Sequence, residues 1–381
     1  MAKINAEQPL WNICKNGIGA KYVELNNTVG QRWYFPFKNS KIFLSLFQPS
    51  SVKGKIIERA FSLIKILSSV LHIGNPKIVK LSFLPSFQNI IDDIFKQKNC
   101  KFGVFCGSPG KHQKPTIIIV NGNRILGYCK LTDNETIFEL FKEESENLTY
   151  LHNRGVENVP CSLFCGWLED CNSYAFVQST KRTDNVKTAN RLSPELFKFI
   201  SDFNSKTEVP IEFEKSEFFR SISRLRHNLH LLNNPELEKI YLVGIDRVLR
   251  DKALYDKFCA YHGDLTPWNS FIVDGEFFAF DLEYFKNSYP LLCDYFHFFT
   301  QDLIYNNYAN ADIIYKHYIL LKNKFSLVKN IDLLYLAYLL VVTDFYLYRD
   351  KGVLNARIGE CFIIWSELIT KLLKCDTRDI K

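Results

Sequence analysis

The sequence predicts an α+β chain of two lobes, a small five-stranded antiparallel sheet with one helix and then a larger helical lobe, preceded by an N-terminal α/β extension. Three observations predict it. Between residues 101 and 180, five short apolar runs alternate with turn signals around a single helical period. Beyond Thr183 the apolar spacing is helical almost throughout. Inside that helical half, residues 261–285 form an isolated strand–loop–strand segment dense in carboxylates and amides. The division expected is 1–100 for the extension, of no readable role, 101–180 for a small lobe and 181–381 for a large one.

In the extension, residues 21–25, 32–37 and 41–47 read as strands, 52–71 as an amphipathic helix, 78–83 as a strand and 87–97 as a helix. Residues 102–106 open the small lobe as a strand, followed by the loop Gly107-Ser108-Pro109-Gly110-Lys111. Strands 116–120 and 124–131 are joined by Asn121-Gly122-Asn123, a tight-hairpin signal because Asn and Gly accept positive φ. Ile137, Leu140, Phe141, Leu148 and Leu151 then mark a helix, with Asp133 or Thr136 as its N-cap. Strands 162–168 and 174–178 complete the sheet. Helical periods follow over 193–204, 216–232, 235–258, 289–308, 311–323 and 332–347.

Composition narrows the function classes. At 47% hydrophobic and 23% charged, the 381 residues are ordinary globular protein, which excludes disordered, collagenous and coiled-coil classes. The 48 basic and 41 acidic residues leave +7, with no basic run, so no nucleic-acid partner is expected. Attraction to anionic ligands such as nucleotides, or to a membrane surface, is what such a charge supports. The first 16 residues have no apolar core and no small-residue cleavage site. The longest apolar stretch, 333–342, is shorter than the roughly 20 residues that span a bilayer. A soluble, cytoplasmic protein without a transmembrane segment is expected, a peripheral membrane contact being compatible with it. Eleven scattered cysteines suit a reducing compartment, and Cys161, Cys165 and Cys171 lack the matched second pair of a zinc site. Oligomeric state has no signal in the sequence.

The chemistry is concentrated in one segment. It reads Tyr261-His262-Gly263-Asp264-Leu265-Thr266-Pro267-Trp268-Asn269, a strand to Val273, the turn Asp274-Gly275, a second strand, and Asp281-Leu282-Glu283. A loop thus holds a carboxylate and an amide five residues apart, and the second strand ends in another carboxylate. Phosphoryl transfer needs such a set, because the protein's task is to orient the acceptor hydroxyl and to neutralise phosphate charge through Mg²⁺. A loop Asp accepts the hydroxyl proton, a nearby Asn oxygen binds metal without adding charge, and a strand-end Asp completes a set of hard oxygen ligands.

His262-Gly263-Asp264 with Asn269, then Asp281-Leu282-Glu283 and the later Pro290-Leu291 with Asp294, resembles the aminoglycoside phosphotransferase and choline kinase group, of bilobal protein-kinase-like fold. The resemblance covers about residues 101–300 and leaves the first hundred unmatched. It implies ATP and Mg²⁺ as cofactors and transfer of the γ-phosphate to a hydroxyl. Asp264 would be the base and His262 a brace of the same catalytic loop. Asn269 and Asp281 would hold Mg²⁺, with Glu283 adding a metal or acceptor contact. Lys130 would contact the nucleotide phosphates and pair with a helix glutamate, Glu144 among Glu143, Glu144 and Glu146. Gly107 and Gly110 would cover the phosphates in a loop that departs from the full glycine pattern, and Gln178 and Ser179 would meet the adenine through their backbone.

The acceptor has no readable code. The basic balance disfavours a polycationic aminoglycoside, and Thr266-Pro267-Trp268-Asn269 is similar to members linked to surface-polysaccharide or lipopolysaccharide synthesis. A sugar, glycolipid or amino alcohol is the expected small-molecule acceptor. Two other readings stand beside it. One is a kinase-fold binding or scaffold protein, which the glycine-poor loop favours and the intact Asp264, Asn269 and Asp281 oppose. The other is a protein kinase, opposed by the lack of an Ala-Pro-Glu element after Asp281. Arg220, Arg224 and His227 share a helix face, which reads as solvated.

Overall fold

The computed structural model describes residues 7–28, 30–46, 61, 77–110, 113–306, 308–325 and 328–375. Of the helix expected over 52–71, only Phe61 lies among them. The chain forms two compact units, residues 1–153 with 159–187, and residues 154–158 with 188–381.

The first unit begins with α1 (Gln8–Ile13), β1 (Cys14–Asn26), β2 (Arg32–Pro36) and β3 (Lys77–Phe83). Next come α2 (Pro85–Phe95), β4 (Lys101–Phe105), β5 (Thr116–Asn121), β6 (Arg124–Thr132), α3 (Glu135–Asn153), β7 (Ser162–Leu168) and β8 (Ser173–Ser179). All eight strands join one sheet in the order β3-β1-β2-β4-β5-β6-β8-β7. The expected count of five is corrected here. Trp33 and Tyr34 of β2 pair with Phe105 and Val104 of β4, continuing the sheet where a five-stranded one would leave bare edge N–H and C=O groups. Period-two alternation sends Ile117 and Ile119 to one core and Ile118 and Val120 to the other, so both faces are covered. Of the strand expected over 41–47, the described residues 41–46 are not a strand either. Ser40–Leu46 is a 3-10 turn, in which the adjacent Ile42 and Phe43 are both buried. Phe43 lies over Gly103, where a Cβ would be 2.7 Å from its ring. The N-cap of α3 is Asn134, not Asp133 or Thr136, because its Oδ1 accepts from the Ile137 amide at 3.2 Å.

The second unit contains α4 (Pro194–Thr207), α5 (Glu217–Asn228), α6 (Pro235–Arg250), β9 (Phe258–Tyr261), β10 (Ser270–Val273), β11 (Glu276–Ala279) and β12 (Lys286–Pro290). It ends with α7 (Cys293–Gln301), α8 (Ala311–Lys322), α9 (Ile331–Arg349) and α10 (Ala356–Cys375), the last absent from the sequence reading. The helix expected over 289–308 is instead a strand to Pro290 and a helix from Cys293. Proline lacks the amide a helix interior needs, and Leu292 takes a left-handed φ of 65°. Helix α9 is long and apolar enough to cross a membrane by length and composition, with mean hydropathy 1.5, yet 78% of that window is buried inside the unit. Its Asp344 pairs with Arg224, and Arg220 pairs with Glu217.

Candidate active site

The β10–β11 hairpin turns through Asp274 and Gly275 at φ 50° and 77°, the mirror-image turn that Asp-Gly favours. Its register sets Ser270 opposite Ala279, and the Phe280 amide donates to the Asn269 carbonyl at 3.0 Å. Asn269 and Asp281 therefore flank the open end of one hairpin. Asp281 holds a left-handed φ of 69°, uncommon for a side-chain-bearing residue and concentrated at functional sites.

The loop before β10 is folded back on itself. The Asn269 amide and the Ser270 hydroxyl both donate to the Thr266 carbonyl, at 3.1 and 2.8 Å. That turn brings Asn269 Nδ2 within 3.0 Å of the Asp264 carbonyl and 2.8 Å of its Oδ2. With the amide nitrogen engaged inward, Oδ1 is the oxygen of Asn269 left for an external ligand. The Asp264 side chain is 30% exposed, an oxygen pair held in place yet open to solvent.

His262 is a brace. Its ring is buried, Nε2 sits 3.1 Å from the Phe280 carbonyl, and Nδ1 accepts from the Asp264 amide at 3.4 Å. The Nε2–H tautomer serves both contacts. Its amide donates to both Asp294 carboxyl oxygens, at 3.1 and 2.9 Å. Gly263 has φ 87°, and a Cβ there would lie 2.3 Å from the Tyr284 carbonyl, so the loop passes flush against the Tyr284 backbone only as glycine.

Burial pushes the Asp294 carboxyl up to about 7, against backbone N–H donors that favour its charged form. Burial also pulls the His262 imidazole down to about 4, against the nearby Asp264 and Asp281 charges. These shifts act oppositely on stability. The unfolded His262 binds a proton near pH 6.5 that the native ring accepts only near 4, so it destabilises the fold as pH falls through that window. Native Asp294 keeps a proton up to about pH 7 that the unfolded carboxyl releases near 3.8, so it stabilises the fold over the same fall. From about pH 7 to 4.5 the two contributions oppose one another and nearly cancel. Asp294→Asn leaves His262 unopposed and should lose about 3 kcal/mol over that range relative to wild type. Urea unfolding of both proteins at the two pH values checks this.

In the first unit, β6 directs Lys130 inward beside Phe176, its Nζ 5.9 Å from that ring centre. Lys130 Nζ donates to both Glu144 oxygens, at 3.0 and 2.7 Å, and the two residues are 5% and 1% exposed. Glu143 and Glu146 are exposed. Gly107 is buried at φ 80°, with a would-be Cβ 2.7 Å from the Lys114 carbonyl, while Gly110 stands in open space. Ser108 Oγ receives a 2.6 Å hydrogen bond from Gln31, so the β1–β2 turn ties down this loop. Lys111 lies outside the described residues. Gln178 is buried and its Oε1 has no hydrogen-bond partner. The Ser179 amide donates to the Cys161 carbonyl at 2.9 Å, so that donor is already engaged.

One residue escaped the sequence reading. His297, buried on α7, places Nε2 3.2 Å from Asp264 Oδ1. Every residue of α7 is buried, so no polar face marked it. The available signal was its position one turn after Asp294. Among the described residues no group of three or more His, Cys, Asp and Glu could hold a metal ion. Magnesium takes one or two carboxylates plus substrate phosphates, and the oxygens of Asn269 and Asp281 at one hairpin end suit that chemistry.

No protein-family model and no curated protein match the chain. Among solved structures it is similar to a provisionally assigned fructosamine-3-kinase from Haemophilus somnus 129PT, at TM-score 0.47 and 13% identity over 75% of this chain and 96% of that one. It is also similar to choline kinase LicA from Streptococcus pneumoniae, at TM-score 0.45 and 13% identity over 76% and 99%. A third is an aminoglycoside 2'-phosphotransferase-IIIa bound to GDP, at TM-score 0.44 and 14% identity over 77% and 97%. All three TM-scores lie below 0.5, so these likenesses carry no function to this chain.

Proposed function

We propose that the chain is an ATP-dependent phosphotransferase that moves the γ-phosphate of Mg-ATP to a hydroxyl of a small molecule, such as a sugar, a glycolipid or lipopolysaccharide precursor, or an amino alcohol. One observation carries it. The partly exposed Asp264 carboxylate is held by the Asn269 side-chain nitrogen, and Asn269 shares a hairpin end with Asp281. In this reading Asp264 accepts the acceptor's proton as the oxygen attacks phosphorus. Asn269, Asp281 and Glu283 hold Mg²⁺, and His262 keeps the loop in shape. Magnesium supplies neutralisation of phosphate charge and alignment of the transferred group. Lys130, oriented by Glu144, is assigned to the nucleotide phosphates, the backbone of Gly107 and Gly110 to covering them, and the backbone of Gln178 and Ser179, apart from the engaged Ser179 amide, to the adenine. A cytoplasmic location fits the need for ATP.

The test is phosphate transfer from Mg-ATP to a panel of sugars, amino alcohols, aminoglycosides and lipid-linked saccharides, with Asp281→Ala alongside. Product from the wild type alone is the expected result. Failure of the wild type to bind Mg-ATP would overturn the reading in favour of a kinase-fold scaffold.

A further inference from the structure

We propose that His297 is a positioning residue for Asp264, donating its Nε2–H to Oδ1 so that the carboxylate is clamped from both sides. The proposal rests on reading Asp264 as the base. Asn269 Nδ2 holds Oδ2 at 2.8 Å and His297 Nε2 holds Oδ1 at 3.2 Å. The terminal torsion of an aspartate is broad and nearly two-fold. One anchor leaves the carboxylate free to swing; two anchors on separate elements, the β10 loop and α7, fix its plane.

The helix supplies the grip one turn at a time. Asp294 accepts from the His262 amide and also holds the Gly263 amide, and His297, three residues on, reaches the Asp264 side chain. One face of α7 thus holds three consecutive residues of the loop.

Chemistry selects the tautomer. An unprotonated Nε2 would set its lone pair against an ionised carboxylate oxygen, so the proton belongs on Nε2. The opposite nitrogen, Nδ1, is buried with no hydrogen-bond partner. An unsatisfied buried nitrogen costs stability, and its neighbours Phe296, Phe298 and Phe299 show that an apolar side chain suits this helix. What the imidazole adds at this position, and an apolar side chain would lose, is the contact to Asp264. During transfer the acceptor O–H proton moves to Asp264, the oxygen–phosphorus bond forms, and the bond from phosphorus to the ADP oxygen breaks. His297 keeps its proton throughout.

The test compares His297→Leu with His297→Gln, whose terminal amide preserves a donor. Any acceptor found in the panel serves, or water as the acceptor in Mg-ATP hydrolysis. For His297→Leu a 10–100-fold fall in kcat is expected, with KM for ATP within two-fold and thermal stability retained, and His297→Gln should recover most of the rate. The double variant Asp264→Ala, His297→Leu should be no slower than Asp264→Ala alone. Two-bond ¹H–¹⁵N imidazole spectra of the wild type should show His297 as the Nε2–H form, shifted by Asp264→Ala. Full kcat in His297→Leu, or an Nδ1–H form, overturns the proposal. The spectra need no turnover, so they decide the His297–Asp264 bond even where the kinase reading fails.

Discussion

Asp264→Ala is expected to lower the rate of phosphoryl transfer by about 10²–10⁴-fold, the range a general base contributes. Mg-ATP affinity should change little, because the phosphates and metal are assigned to Lys130, Asn269 and Asp281. The fold should be retained, since the loop is held by Asp294 through the backbone, at a cost of about 1–3 kcal/mol for the buried His297 Nε2–H left without its acceptor. Asp264→Asn separates shape from basicity. It can still accept from His297, but it cannot take a proton at the acceptor oxygen, so its rate should fall nearly as far. Single-turnover rates and ATP binding measured on both variants decide the matter. Undiminished turnover in Asp264→Ala would remove Asp264 from the mechanism, whatever the acceptor.

Local signals were the legible ones. Two hairpins were legible from their turn residues, Asp274-Gly275 with both φ values positive and Gly122 at φ 58°, conformations that these residue types accept. The first of those hairpins is also what places Asn269 beside Asp281, so the site was legible wherever a turn made it. Long-range pairing was not. Nothing in residues 32–36 announces that Trp33 will pair with Phe105, some seventy residues away, and the sheet was therefore read three strands short. Consecutive buried residues misled for a related reason. Ile42 and Phe43 look like strand, yet a turn that puts both indoors satisfies the same composition. His297 was hidden because periodicity detects a helix with one wet side, and α7 has none.

The buried Lys130–Glu144 pair separates stability from chemistry. Both side chains are withdrawn from water, so removing one takes a close opposite charge away from the other's buried charge. Glu144→Ala is expected to cost about 3–5 kcal/mol of folding stability, a sum comparable to a domain's whole margin. Lys130→Ala should cost a similar amount and in addition weaken the handling of nucleotide phosphate. The informative protein is the double variant Lys130→Met with Glu144→Leu. Apolar side chains of similar volume can replace a buried ion pair at little or no cost in stability, so urea unfolding should return close to wild type. Phosphoryl transfer should not return, because the ammonium is the group we assign to the phosphates. Recovery of both stability and turnover would make the pair purely architectural; recovery of stability alone would assign Lys130 to the nucleotide.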